Sequence, residues 1–203
     1  MKLSTSSIIK AIQIVVFACA VIMILRYFNM ADMVMVESMI DHNNYLVMNL
    51  KDKDKASDFL AILRKTLEKF IDDLIRDDPN NDNLVLMKER FKRAVIKEGS
   101  PDSKHSSYAV NKGEQMVFCI RGRDNGKKLV DFNTMMFVAL HELAHLMTPA
   151  YGPKGEEHTD EFWNNMTYLI KKAIQKKIYK YHPYHIKPVD YCNTTITDTP
   201  YKM

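Results

Sequence analysis

Apolar positions recur along this chain in three rhythms, each predicting a different kind of element. Residues 8–25 are apolar apart from Lys10 and Gln13, and Arg26 closes the run. Eighteen helical residues rise about 27 Å against roughly 30 Å of hydrocarbon, so residues 8–25 are expected to span a bilayer once. A cleaved signal peptide is the rival, but its small-residue site should follow the run, where Arg26-Tyr27-Phe28-Asn29-Met30 stands instead. The reading is an uncleaved anchor within residues 1–29, giving a single-pass membrane location with the lipid bilayer as a partner. Lys2 and Lys10 before the run and Arg26 after it leave the side of the membrane open.

The second rhythm is helical and covers residues 30–100. Residues 30–50 mix methionine and valine with acids and asparagine and read as helix continuing off the anchor. Phe59, Leu60, Leu63, Leu67, Phe70, Ile71 and Leu74 then recur at helical spacing between Ala56 and Ile75, up to the breaker Asp77-Asp78-Pro79-Asn80. A shorter helix is expected from Leu84 to Val95. These stripes read as the packing faces of the domain's own helices, and the charge run from Lys51 to Lys55 as a solvated loop.

After Gly99-Ser100-Pro101-Asp102-Ser103 the period changes to two, opening a third region, residues 101–203. Tyr108-Ala109-Val110, a turn through Asn111-Lys112-Gly113, and Met116-Val117-Phe118-Cys119-Ile120 predict a β-hairpin. Asp124-Asn125-Gly126 turns the chain toward a helix capped by Asp131 or Asn133 and stopped by Pro149. A flexible loop, Tyr151-Gly152-Pro153-Lys154-Gly155, precedes a second helix started by Thr159 or Asp160 and running to about Tyr179. Beyond Tyr181, Pro183, Pro188 and Pro200 predict an extended tail that wraps the domain near the site.

Composition narrows the class. Hydrophobic content of 46% in 203 residues supports a sizeable core, and six glycines favour helix over an all-β chain. The net charge of +4 comes without a concentrated basic patch, so there is no strong nucleic-acid signal. Cys19, Cys119 and Cys192 form no metal-ligand spacing. Cys119 and Cys192 are the one pair open to bonding, and free thiols are the expectation.

Candidate chemistry sits on the helix before Pro149. Phe132, Met136, Ala139, Leu140, Leu143, Leu146 and Met147 share one broad side, while Phe137, Val138 and Ala144 lie among His141, Glu142 and His145 on the other. A helix apolar nearly all round belongs in the interior, where two histidines and a glutamate are costly unless something pairs with them. Residues four apart share a helix face, so His141 and His145 can offer imidazoles to one metal ion, zinc for preference. Glu142 is too oblique to ligate but can reach a water on that metal, the arrangement of zinc peptidases. For the third ligand His158 competes with Glu156, Glu157 and Glu161, and its place ahead of Phe162-Trp163 favours the imidazole.

Secondary candidates are less specific. An extended peptide could add to a strand edge beside the metal, expected within residues 116–120. Tyr184, Tyr191 or another tail tyrosine could stabilise an oxyanion, His182 and His185 read as surface residues, and Asn165 and Asn193 fit the glycosylation sequon.

His141-Glu142-Leu143-Ala144-His145, a short loop and His158-Thr159-Asp160-Glu161-Phe162-Trp163 resemble the WLM and SprT-like (Spartan) metallopeptidase families. Compact forms with a stretch like residues 133–163 are similar to metallopeptidases encoded by large DNA viruses. The resemblance covers about residues 108–178. It implies an α+β, zincin-like core, a small antiparallel sheet packed on the active-site helix. It also implies His141, His145 and His158 as zinc ligands, Glu142 as general base, a protein or peptide substrate, and a viral or host membrane for the anchor. The metzincin spacing is absent, as are the ubiquitin-, SUMO- and DNA-binding segments of cellular relatives, so their crosslink-repair substrates are not carried over. The competing expectation is a non-catalytic membrane or virion structural protein that keeps the fold for stability or docking.

Overall fold

The protein is described by a computed structural model covering residues 5–30, 32–103, 105–122 and 127–202, with the backbone alone for residues 5–9 and 25–30. The first helix, α1 (Thr5–Met30), is followed by the hairpin β1 (Met33–Glu37) and β2 (Asn44–Met48). Then come α2 (Lys53–Asp77), α3 (Asp82–Arg93), β3 (Val95–Glu98), β4 (Tyr108–Val110), β5 (Gln115–Phe118), α4 (Phe132–Met147), α5 (Asp160–Gln175), β6 (Val189–Tyr191) and β7 (Thr194–Ile196). The described residues thus form a mixed fold of five helices and three small sheets.

Two expectations about the N-terminal region do not hold. Among the described residues no helix is long and apolar enough to cross a membrane. Lys10 and Gln13 lie within α1 and interrupt its apolar run near the start. The single-pass anchor at residues 8–25, the membrane location and the bilayer as partner are therefore not supported. Nor do residues 33–48 continue a helix, although they lie within the stretch expected to do so. They form an antiparallel hairpin in which Val36 faces Tyr45 and Val34 faces Val47, with Tyr45 and Val47 buried. The hairpin docks on α2 through Ser57 Oγ, which donates to the Val36 carbonyl at 2.9 Å, and Ser38 Oγ, which donates to Asp58 at 2.8 Å.

The amphipathic stripe builds α2 as expected, with Leu60, Leu63, Leu67, Phe70, Ile71 and Leu74 buried, although the helix begins inside the predicted charged loop, at Lys53. Asn81 caps α3 by accepting from Leu84 N–H. The central sheet has the order β3-β5-β4, with β3 parallel and β4 antiparallel to β5. The sheet is therefore mixed rather than antiparallel throughout, because α3 delivers β3 alongside β5 from the far side. The predicted hairpin is present as β4 and β5, while the expected turn at Asp124-Asn125-Gly126 lies outside the described residues.

A buried ion cluster joins the hairpin, α2 and the central sheet. Arg121, just past β5, is 1% exposed and donates from Nε to Glu98 at 2.9 Å and from Nη1 to Asp52, the residue ahead of α2. The second oxygen of Glu98 accepts the Met48 N–H at 2.7 Å, so one arginine ties β2, β3 and α2 together. Cys119 and Cys192 are joined by a disulfide, against the expectation of free thiols. The bond fixes the β6–β7 hairpin of the tail to the end of β5. Asn165 is buried and donates to Thr148 Oγ1 at 3.1 Å, so that sequon is a packing residue.

Candidate metal centre and active site

Helix α4 starts where Asp131 accepts Thr134 N–H at 2.9 Å, and its length is set by the apolar residues it buries. That register puts His141 and His145 one turn apart on the face toward α5. The C-terminal end of α4 is held by Arg90 of α3, which donates to the carbonyls of Leu146, Thr148 and Pro149. A cation there satisfies carbonyls that lack helical partners and matches the negative end of the helix. From this anchor the loop doubles back, as Gly152 N–H to the Glu156 carbonyl at 2.8 Å shows, and delivers His158 just before Thr159 caps α5.

The three imidazoles meet. Their ligating nitrogens lie within 4.8 Å of one another, and among the described residues no other group of three potential ligands does. His141 Nε2 stands 3.2 Å from His145 Nε2 and 3.2 Å from His158 Nε2. One ring nitrogen has either a single proton or a single lone pair, so it cannot make both contacts as hydrogen bonds. Two nitrogens bound tetrahedrally to zinc at 2.0–2.1 Å stand about 3.3 Å apart, so the spacing fits a shared cation. Burial, with mutual repulsion added, holds His141 down to about 3 and His145 to about 4, and burial also lowers His158. All three are thus neutral at pH 7, the form that ligates a metal.

The rings are braced from behind by Phe162, fully buried, whose centroid lies 4.9, 4.5 and 4.6 Å from those of His141, His145 and His158. Trp163 stacks on His158 at 5.5 Å. The aromatic pair is therefore a mount for the imidazoles. Glu156 and Glu157 do not join the cluster, and Glu161 accepts from Asn83 Nδ2 instead.

Glu142 is 3% exposed and lines the same cavity, of about 430 Å³, as the three histidines. Its Oε2 has no hydrogen-bond partner, and burial pushes its pKa up to about 8 against a weaker opposing contribution from the Ala109 backbone N–H. Without a metal that value leaves the buried carboxyl protonated at neutral pH, and a cation held by the triad would favour its carboxylate form. His105, Ser107, Tyr108, Lys112, Thr148, Tyr151 and Glu157 complete the walls. Of these, sequence reasoning singled out only Glu157, and the sole signal for the others was the Asn111-Lys112-Gly113 turn that aims Lys112 back at α4. On the other side of His141, a cavity of about 350 Å³ is closed by Trp163, Met166 and the tail at Asp198, Thr199 and Pro200.

Two placements differ from expectation. Strand β5 is the central strand and is buried, so residues 116–120 offer no free edge; the strand beside the metal centre is β4. The tail tyrosines are not in the cavity. Tyr184 is buried against Phe137 at 4.6 Å, and Tyr191 shares a hydrogen bond with Ser107 Oγ at 2.7 Å. His182 and His185 stay outside the cluster.

One family model and three known proteins resemble this chain. The WLM domain family model matches residues 41–186. An uncharacterized protein, R325, of Acanthamoeba polyphaga mimivirus is 34% identical over 168 residues, 80% of this chain and 82% of that one. Another, 136R of Invertebrate iridescent virus 6, is 31% identical over 74 residues, 36% of this chain and 38% of that one. Among solved structures, Wss1 from Saccharomyces cerevisiae aligns with a TM-score of 0.44 and 18% identity over 63% of this chain and 84% of that one. With the family match spanning well over half of its length and relatives in large DNA viruses, the chain belongs to the WLM domain family, whose members are metallopeptidase-like proteins acting on protein substrates.

Proposed function

We propose that this protein is a zinc-dependent endopeptidase, with His141, His145 and His158 holding the metal and Glu142 serving as general base. The observation that carries the reading is the convergence of three neutral imidazoles at 3.2 Å spacings in one cavity with a buried, half-satisfied carboxyl. A zinc ion held there supplies Lewis acidity, acidifying water and polarising a scissile carbonyl. Glu142 takes the proton of the attacking water on its unused Oε2 and returns it to the leaving amine. The Ala109 N–H donated to Glu142 fixes the carboxyl against β4 and so aims it. An extended substrate pairs with the free edge of β4, which sets its backbone alongside the carboxyl.

Activity is tested on an unfolded protein substrate, with metal content measured in parallel. Glu142→Gln abolishes cleavage while retaining zinc, and His158→Ala loses zinc affinity by more than about a hundredfold, beyond what supporting contacts contribute. Full cleavage by the Glu142→Gln variant would remove the general base from the scheme. A wild-type protein that binds zinc through all three histidines and cleaves nothing would favour a structural role for the site.

A further inference from the structure

Lys112 is a cation built into the wall of the catalytic cavity, and among the described residues no carboxylate lies within ion-pair distance of it. The turn after β4 places Asn111 and Lys112 in the left-handed region, with φ of 46° and 52°, which swings the lysine away from the sheet and back over the end of α4. Its Nζ donates to the Thr148 carbonyl at 3.0 Å and lies 4.2 Å from the centroid of the Tyr151 ring. Both partners are uncharged, and they occupy one of its three N–H groups and one side of the ammonium. Among the described residues no carboxylate pairs with it, and Glu157, on the same cavity wall, is exposed and unpaired with it. Burial lowers the Lys112 pKa and the nearby Arg90 guanidinium adds to the effect, against smaller opposing contributions from Glu161 and Glu157, neither of which pairs with it directly. Arg90 already caps α4 with three hydrogen bonds, so the helix end does not need a second cation.

We propose that Lys112, backed by Tyr151, forms a subsite for an acidic side chain of the peptide substrate. The inference rests on the peptidase reading and adds its specificity. A cavity of about 430 Å³ is roughly 9 Å across, fewer than three residues of extended chain, so the acid lies within two residues of the scissile bond. A carboxylate there accepts the two remaining N–H groups of Lys112 beside the Tyr151 ring, in charge-assisted hydrogen bonds. An amide isostere of the same shape accepts them without the charge.

Two measurements test this. Zinc-loaded wild type is given a denatured protein mixture and its cleavage sites are read by mass spectrometry. Fluorescent peptides differing only by Asp or Asn are bound to the Glu142→Gln variant, which reports affinity without turnover. Wild type shows Asp and Glu enriched at one position within two residues of the cut. The Asp peptide binds about tenfold tighter than its Asn partner, a ratio that one charge-assisted contact supplies. Lys112→Met in the same background brings the ratio near one, and Lys112→Glu shifts the cleavage map toward Lys and Arg. Cleavage by wild type with no acidic enrichment overturns the subsite while the peptidase reading stands, and needs no variant to fold. Absence of any cleavage by zinc-bound wild type removes both.

Discussion

Glu142 should make the metal-free protein less stable as pH rises, and Glu142→Gln should remove that dependence. In the folded chain the carboxyl is 3% exposed and its pKa sits at about 8, chiefly because burial penalises the charge; in the unfolded chain it titrates near the ordinary 4.5. Between those values the folded state holds a proton that the unfolded state has released, so stability is greatest below about 4.5, falls with rising pH, and levels off above about 8. At about 1.4 kcal/mol per pH unit the full span is about 5 kcal/mol.

The histidines pull the other way. Their lowered values mean that stability is present above 6.5 and lost as pH falls toward about 4 for His145 and about 3 for His141. Raw stability curves therefore mix two opposed slopes. Subtracting the curve of Glu142→Gln from that of wild type, by urea unfolding with a chelator from pH 5 to 8, cancels the histidines and leaves Glu142 alone. The difference should fall by about 4 kcal/mol across that range, and saturating zinc should flatten it, because a nearby cation favours the carboxylate. A difference independent of pH in the chelated protein would mean that the carboxyl is hydrated, and the argument from its burial would fail.

Three further predictions concern the scaffold. Arg121→Met leaves Glu98 buried without its partner and should cost about 3–5 kcal/mol, lowering the melting temperature by roughly 6–20 °C, whereas a loss below about 1 kcal/mol would show the cluster to be dispensable. Asp52, which Arg121 holds below the usual carboxylate range and whose side chain is 38% exposed, should tolerate Asn better than Glu98 tolerates Gln. The Cys119–Cys192 bond closes a loop of 73 residues that contains α4 and α5, so loop entropy assigns it about 4 kcal/mol. Thiol reductant should lower the urea midpoint of wild type accordingly and leave the Cys119→Ser, Cys192→Ser double variant unmoved; equal response of both proteins would exclude the bond.

Where the sequence misled, competing patterns explain it. Residues 33–48 carry a period of two in Val34, Val36, Tyr45 and Val47, but the interleaved methionines suit a helix equally and conceal the alternation. The apolar run at residues 8–25 invites a bilayer by composition, while Lys10 and Gln13 break it within α1. The identity of the edge strand was not readable either, since β4 and β5 form a hairpin in any case and only the arrival of β3 alongside β5 leaves β4 free. The disulfide has the same origin: 73 residues separate two cysteines that meet only when the tail folds onto β5.

The convergence of the three histidines was legible because its geometry is mostly local. Helical register alone stacks His141 over His145, and a loop short enough to double back, ending in a Thr159 cap, leaves His158 few places to go. Phe162 lies four residues past His158 and mounts all three rings, so the aromatic pair that marked the motif is a physical part of the site. The walls of the cavity obey no such rule. Lys112 reaches Thr148 across 36 positions in sequence, and Arg90 reaches the same carbonyl across 58, through contacts that exist only once α3, β4 and α4 have packed together. Under the proposed peptidase reading the chemistry belongs to one helix and one loop while substrate preference belongs to residues far from both, and Lys112 is where that division should first be visible.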